Sequence, residues 1–414
     1  MPSSELTLSF VNSHIASQDN CKDVSRISYS YDWLKDVSAA YLTKCPPELS
    51  GYRRLSSPRS STPSSTDSEI TETVDVNGFS VYPREAGLFW PTGLHQARQS
   101  RHWDAGLKIS SELLELFSSD VDSSKAVRPN GKSLAKIAQH ELLLPEEDRF
   151  TKFATYLFPE ADEERTRLLA ATIVFIVIFD DSWEMHETDK LGVVRDDFIK
   201  RLESNDDGAD DKTPLQTLID YVVSGLKAHD KLAGNAGQEV LTHLVAFCRH
   251  VPPQSEFASL ADYLTYRNID AGVPYILACV KFSIESDVVI EDPKLATILR
   301  LISDHVSLVN DLASFDKELR AFEAGKVCYM INAVDVVRKV FGLSNWQSAK
   351  ALTFAMQLEV ESLMEDELTR LSVDGCLTPQ EEKFVEACLT MTAGNVFYSI
   401  VTSRYGGEEA RIAS

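Results

Sequence analysis

At 414 residues with 43% hydrophobic content, the chain can hold one large domain or two to three small ones, each with a sizeable core. A formal net charge of −22 argues against nucleic acid or an anionic membrane surface as partner, since both select for basic patches. Seven scattered cysteines without a C-x-x-C pair argue against zinc and redox motifs and suit a reduced, cytoplasmic setting.

The first twenty residues lack a basic region followed by an apolar one, so no secretory signal is expected. "YDWLKDVSAAYL" (31–42) has the pattern of a short helix. Residues 56–68, "SSPRSSTPSSTDS", read as a flexible linker or loop. Residues 70–130 are mixed, and "GLFWPTGLH" suggests a packed irregular segment. Residues 1–131 therefore form an N-terminal extension. From about 132 to 414, apolar residues recur at three and four, without convincing strand alternation. Helices are expected near 133–143, 147–157, 162–186, 191–203, 213–231, 236–249, 257–268, 272–286, 295–321, 326–341, 345–371 and 379–404. No fixed repeat period appears. The expected fold class is all-α.

The apolar run 168–179 leads straight into "DDSWE". Its 12 residues rise about 18 Å as a helix, short of the roughly 30 Å of a bilayer core, so no membrane span is expected. The pattern over 173–179 is apolar on all sides, which means burial. Asp180 and Glu184 lie one turn apart, with Asp181 about 100° around. Such a trio can hold Mg²⁺, and an ordinary charged helix end is the plainer alternative. "DDGAD" (206–210) matches D-D-x-x-D more literally, but Gly208 and the absence of apolar neighbours mark a solvated loop.

"RNIDAGVPY" places Gly272 and Pro274 just after Arg267, where they should break a helix and orphan its last carbonyls. Alone this reads as an interhelical turn. In "LVNDLASFDKEL" (308–319), Leu308, Leu312, Phe315 and Leu319 form an apolar stripe. Asn310, Ser314 and Glu318 share the other side within about 80°, offering three hard oxygen ligands, with Lys317 beside them. A wet amphipathic face is the plainer reading. Val306, Val309 and Ala313 border these residues, however, and Asn and Ser are poor helix formers.

"DDSWE" followed 130 residues later by "NDLASFDKE" resembles the paired metal motifs of class I terpene synthases, in the manner of fungal sesquiterpene cyclases. "YLTYRNIDAG" (263–272) resembles the family's diphosphate-sensing segment. "GNVFYSIVTSRYGG" (394–407) resembles its C-terminal Arg-Tyr pair. The resemblance implies a helical bundle around a central apolar cavity. It implies three Mg²⁺, two held by Asp180, Asp181 and Glu184 and one by Asn310, Ser314 and Glu318. Arg267, Lys317, Arg404 and Tyr405 would bind the diphosphate. Asp270 would link Arg267 to the helix break at Ala271, whose carbonyls face the reacting cation. Ile173, Ile176 and Val177 share the face of Asp180 and would wall the cavity. Phe397 shares the face of Arg404, and Phe175 points to the core. Tyr398 stands where the family has Trp and Glu184 where it more often has Asp, and the extension is long, which leaves the product open. The implied activity is ionisation and cyclisation of farnesyl diphosphate, a small-molecule partner, by a monomer or homodimer. Chain-elongating prenyl synthases need a second Asp-rich motif and fit less well. A non-catalytic helical binding protein is the third alternative.

Overall fold

The computed structural model describes residues 30–37, 46, 49, 76–126, 133–144, 149–180, 189–203, 212–230, 234–250, 256–325, 327 and 330–406. The expected linker 56–68 and the loop 206–210 lie outside them. Two short antiparallel strands, β1 (Gly78–Val81) and β2 (Ala97–Ser100), come first, in register Gly78 to Ser100. Helices follow: α1 (Trp103–Ser119), α2 (Val121–Lys125), α3 (Leu134–Leu143), α4 (Phe153–Leu157), α5 (Glu163–Asp180), α6 (Asp189–Glu203), α7 (Pro214–Asp230) and α8 (Ala236–Cys248). Then come α9 (Leu260–Asp270), α10 (Val273–Ser283), α11 (Ala296–Glu323), α12 (Ala333–Val340), α13 (Trp346–Asp374), α14 (Pro379–Val401) and α15 (Ser403–Gly406).

Local chemistry sets many of these boundaries. Ser133, Ser259, Asn332 and Asn345 each cap a helix by accepting a backbone N–H. Thr378 and Glu381 form a reciprocal capping box ahead of α14, with Pro379 at its first turn. Gly375 ends α13 in the left-handed region at φ 57°.

The 28-residue α11 packs against α9, α12, α13, α14 and α15, so it carries its polar face through the middle of the bundle. Over 173–179 helix α5 is apolar all round, as its sequence requires. Val174, Phe175, Ile178 and Phe179 are fully enclosed, and Phe175 and Phe179 pack on Phe198. The lone polar residue in the 168–179 run, Thr172, meets the Tyr275 hydroxyl at 2.6 Å, tying α5 to α10. Gly394 allows α14 to cross α4. A Cβ there would stand 2.1 Å from Tyr156 O, inside any tolerable contact.

The structure departs from the sequence reading in the extension. Tyr31–Val37 form a bridge and turns, not a helix, and Tyr31 N donates to Ile400 O at 2.6 Å. The β1–β2 pair was not expected, because four residues are too few for alternation to register. Helix α1 also lies in the stretch that read as mixed. Among the described residues of the expected helix at 326–341, α12 is the helical part, and the helix expected at 379–404 breaks at Thr402. One buried cluster runs from Tyr31 to Tyr405, taking residues from both sides of position 131.

Helix α14 is long and apolar enough to cross a membrane by length and composition, but its apolar stretch is 94% buried inside the bundle. It is a core helix. Cys248, Cys279 and Cys388 are buried thiols and Cys376 is exposed. None of these four is bonded to another.

Candidate active site

The site is assembled where α9 meets α11. Helix α9 ends at Asp270, Ala271 caps it, and Gly272 turns the chain at φ 68° before α10 restarts with Pro274 in its first turn. Left-handed backbone is nearly free for glycine alone, so this break needs Gly272. A Cβ here would also stand 3.3 Å from the Phe247 ring. The break directs Arg267, in the last turn of α9, onto α11.

Arg267 is the hub. Its Nε and Nη2 reach Asp311 Oδ1 at 3.0 and 2.9 Å, and Nη2 donates to Asn310 Oδ1 at 2.9 Å. Its Nη1 pairs with Asp270 Oδ2. Burial disfavours the guanidinium charge, but Asp311 and Asp270 outweigh it and hold the pKa above the usual arginine value. Asp270 in turn accepts from Tyr266 OH at 2.8 Å, and His250 Nε2 stands 3.3 Å away. Burial pushes the Asp270 carboxyl up. Arg267, His250 and Tyr266 reverse this and bring it below the ordinary carboxylate range.

On α11, Asn310, Ser314 and Glu318 follow at successive turns. Asn310 Nδ2 donates to Tyr405 OH at 3.1 Å, which joins the C-terminal α15 to the cluster. Glu318 Oε2 accepts from Asn332 Nδ2 at 2.9 Å. Ser314 is buried, and its hydroxyl has no hydrogen-bond partner. Buried hydroxyls such as Thr353, Thr392 and Ser399 bond back to a carbonyl one turn earlier, whereas Ser303, Ser307 and Ser314 on α11 do not, and of these three Ser314 is the one that lies between Asn310 and Glu318. An unpaired buried hydroxyl beside an amide oxygen and a carboxylate is the donor set a hard cation requires. These three residues therefore fit a divalent ion.

Asp311, Tyr263 and Asn332 complete the network and were not among the residues singled out from the sequence. Asp311 Oδ2 accepts from Ala333 N at 2.8 Å and from Tyr263 OH. Burial pushes its carboxyl up to about 6; Arg267 pulls it down, and Glu318 adds to the rise. Asp311 had a readable signal, a charge on the apolar stripe of Leu308, Leu312 and Phe315. Asn332 had none, since it arrives through the turn ahead of α12.

The other expected residues are placed as follows. Helix α5 ends at Asp180, while Asp181 and Glu184 lie outside the described residues. Lys317 is half-buried. Arg404 lies over the Phe150 ring at 5.0 Å and 3.5 Å from Glu141 Oε1. The Phe150 ring packs edge-on against Tyr398. Val177 is buried, Ile176 and Ala271 half-buried, and Phe397 is enclosed against Tyr156.

Residues 171–357, which span the end of α5 and the α11 triad, match the family described as terpene synthase family 2, C-terminal metal binding. The chain is 28% identical over 333 residues to terpene cyclase 6 of Gibberella fujikuroi, covering 78% of this chain and 84% of that one. It is 24% identical to an aristolochene synthase of Aspergillus terreus, over 62% of this chain and 80% of the relative. The chain thus carries the metal-binding region of that family and is similar to fungal terpene cyclases over most of its length. The crystal structure of the Penicillium roqueforti aristolochene synthase superposes with a TM-score of 0.55 at 19% identity, covering 70% of this chain and 93% of that chain; at that identity it speaks for the fold alone. The enzyme is thus a terpene cyclase, a lyase, of all-α fold, and its matched domain is a metal-binding one.

Proposed function

We propose that this terpene cyclase ionises and cyclises a C15 allylic diphosphate, farnesyl diphosphate, to a sesquiterpene with release of diphosphate, in a Mg²⁺-dependent reaction in the cytoplasm. The observation that carries the reading is the Ser314 hydroxyl, buried and unpaired on the same helix face as Asn310 and Glu318. The fungal relatives named aristolochene synthases support the C15 chain length.

Asn310, Ser314 and Glu318 would hold one Mg²⁺ and the Asp180, Asp181 and Glu184 cluster two more. Bound there, the ions would supply neutralisation of the negative charge that develops on a departing diphosphate. Without such charge the acidic protein would repel its anionic substrate. Arg267 presents a cation held in place by Asp270 and Asp311, which would add positive charge and a hydrogen bond to the diphosphate. Tyr405 adds a hydroxyl, and Arg404 and Lys317 further positive charge. The apolar wall of α5, with Ile176 and Val177, and the aromatic face of Phe397 would keep water from the cation.

The deciding assay incubates purified protein with C10, C15 and C20 allylic diphosphates, with and without Mg²⁺, and identifies volatile products. Cyclic C15 hydrocarbons formed only with Mg²⁺ are expected. No product from any of the three overturns the proposal. A longer prenyl diphosphate, formed only when isopentenyl diphosphate is added, would replace it with chain elongation.

A further inference from the structure

Residues 88–94, "LFWPTGL", follow no helix or strand yet are buried throughout. Irregular backbone in a core needs a partner for its N–H and C=O groups. Here the bundle and its neighbours supply them. Gln357 Nε2 donates to Pro91 O at 2.8 Å, Arg84 Nη2 to Thr92 O at 2.7 Å and Leu49 N to Gly93 O at 2.9 Å. The centre is Glu361 of α13. Thr92 Oγ1 donates to one of its oxygens and Gly93 N to the other, each at 2.7 Å. His305 Nε2 of α11 stands 2.8 Å from the oxygen that Thr92 uses. Glu361 is 2% exposed and His305 fully buried.

An apolar side chain at 361 would fill this space without the desolvation a carboxylate suffers. What the carboxylate adds is direction, because three segments must present donors to two oxygens. One of those segments is α11, five residues before Asn310. We propose that Thr92, Gly93 and Glu361 are positioning residues: through His305 they set the rotation of α11, and so the aim of Asn310, Ser314 and Glu318. The proposal rests on the metal and diphosphate reading above. On a helix of 5–6 Å radius, a turn of about 20° moves a side-chain oxygen by roughly 2 Å. Mg²⁺ demands near-ideal octahedral geometry, so such a movement breaks the site.

The test uses the full chain and three variants. Thr92→Val keeps the shape and removes one donor, Thr92→Ser restores the donor, and Glu361→Gln keeps the volume and removes the charge. The readouts are the melting temperature without ligand and its shift on titrating Mg²⁺ with inorganic diphosphate. Thr92→Val and Glu361→Gln are expected to raise the Mg²⁺ concentration for half-maximal shift by roughly 2- to 30-fold. Thr92→Ser returns it to the wild-type value. Variants that melt earlier but titrate at the wild-type concentration overturn the proposal and leave a purely structural clamp. Should Glu361→Gln not fold, the two Thr92 variants decide alone. A wild-type chain that shows no shift at all overturns the metal–diphosphate reading and this proposal with it, a result distinct from matching wild-type and variant titrations.

Discussion

Asp311 and Glu361 are both buried carboxylates on long helices, and each accepts from several segments, yet their surroundings move them in opposite directions. Burial pushes both up. At Glu361, His305, Thr92 and Gly93 more than compensate, and the carboxyl falls below its ordinary range. At Asp311, Arg267 does not fully compensate, because Glu318 lies near enough to add to the rise. One region has its charge matched internally. The other carries a surplus of acceptor oxygens, with the Ser314 hydroxyl still unpaired. A matched buried carboxylate holds structure together, whereas a surplus of oxygens calls for a cation from outside.

The largest expected effect lies on the side with the surplus. Glu318→Ala or Asn310→Ala should lower kcat/KM by about 100-fold or more, by analogy with losing a preorganised charge-stabilising group. Stability should fall by only about 1 kcal/mol, the worth of an ordinary hydrogen bond. Near wild-type turnover in either variant would erase the distinction between the two regions. Next comes Arg267→Met, which strands Asp311 without its partner. Removing one member of a buried pair costs about 3–5 kcal/mol, readable in urea unfolding. Glu361→Gln should cost less, about 1–3 kcal/mol, since the amide keeps one acceptor oxygen.

A third carboxylate sharpens the comparison from outside both regions. Burial, with Glu382 and Glu160 nearby, pushes the half-buried Glu386 up to about 7. A carboxyl raised on folding opposes stability as pH climbs from its unfolded value, about 4.5, through 7, and has no effect below 4.5. Glu386→Gln should therefore raise the melting temperature at pH 8 and leave it unchanged at pH 4. Partial exposure limits the gain to about 1–2 °C. An equal gain at both pH values would show that the shift is not the cause. The smallest effect is expected at Asp206→Ala, which should change turnover not at all and stability by less than about 0.5 kcal/mol. A large loss there would mean the other acidic cluster holds the metal.

Much of the helical framework was legible, because apolar period and breakers are local. The start of α14 at Pro379, the break at Gly272 and the enclosed α5 followed from their own residues. So did the shared face of Asn310, Ser314 and Glu318, since one helix turn places them. Strands of four residues gave too short an alternation to read. Helix α1 has apolar periodicity, but Gly106 and two adjacent serines weaken its local preference. The Glu361 clamp joins positions 92 and 361, and no local pattern links residues 269 apart.

By itself the sequence determined that this chain folds as helices with one oxygen-rich face on α11, because helical periodicity depends only on neighbours three and four residues away. Only the tertiary structure decided that Asp311 would receive Arg267, that Tyr405 would reach Asn310, and that a loop of the extension would lock onto Glu361. Those pairings depend on how separate helices are rotated against each other, and that rotation is set by packing across the whole core.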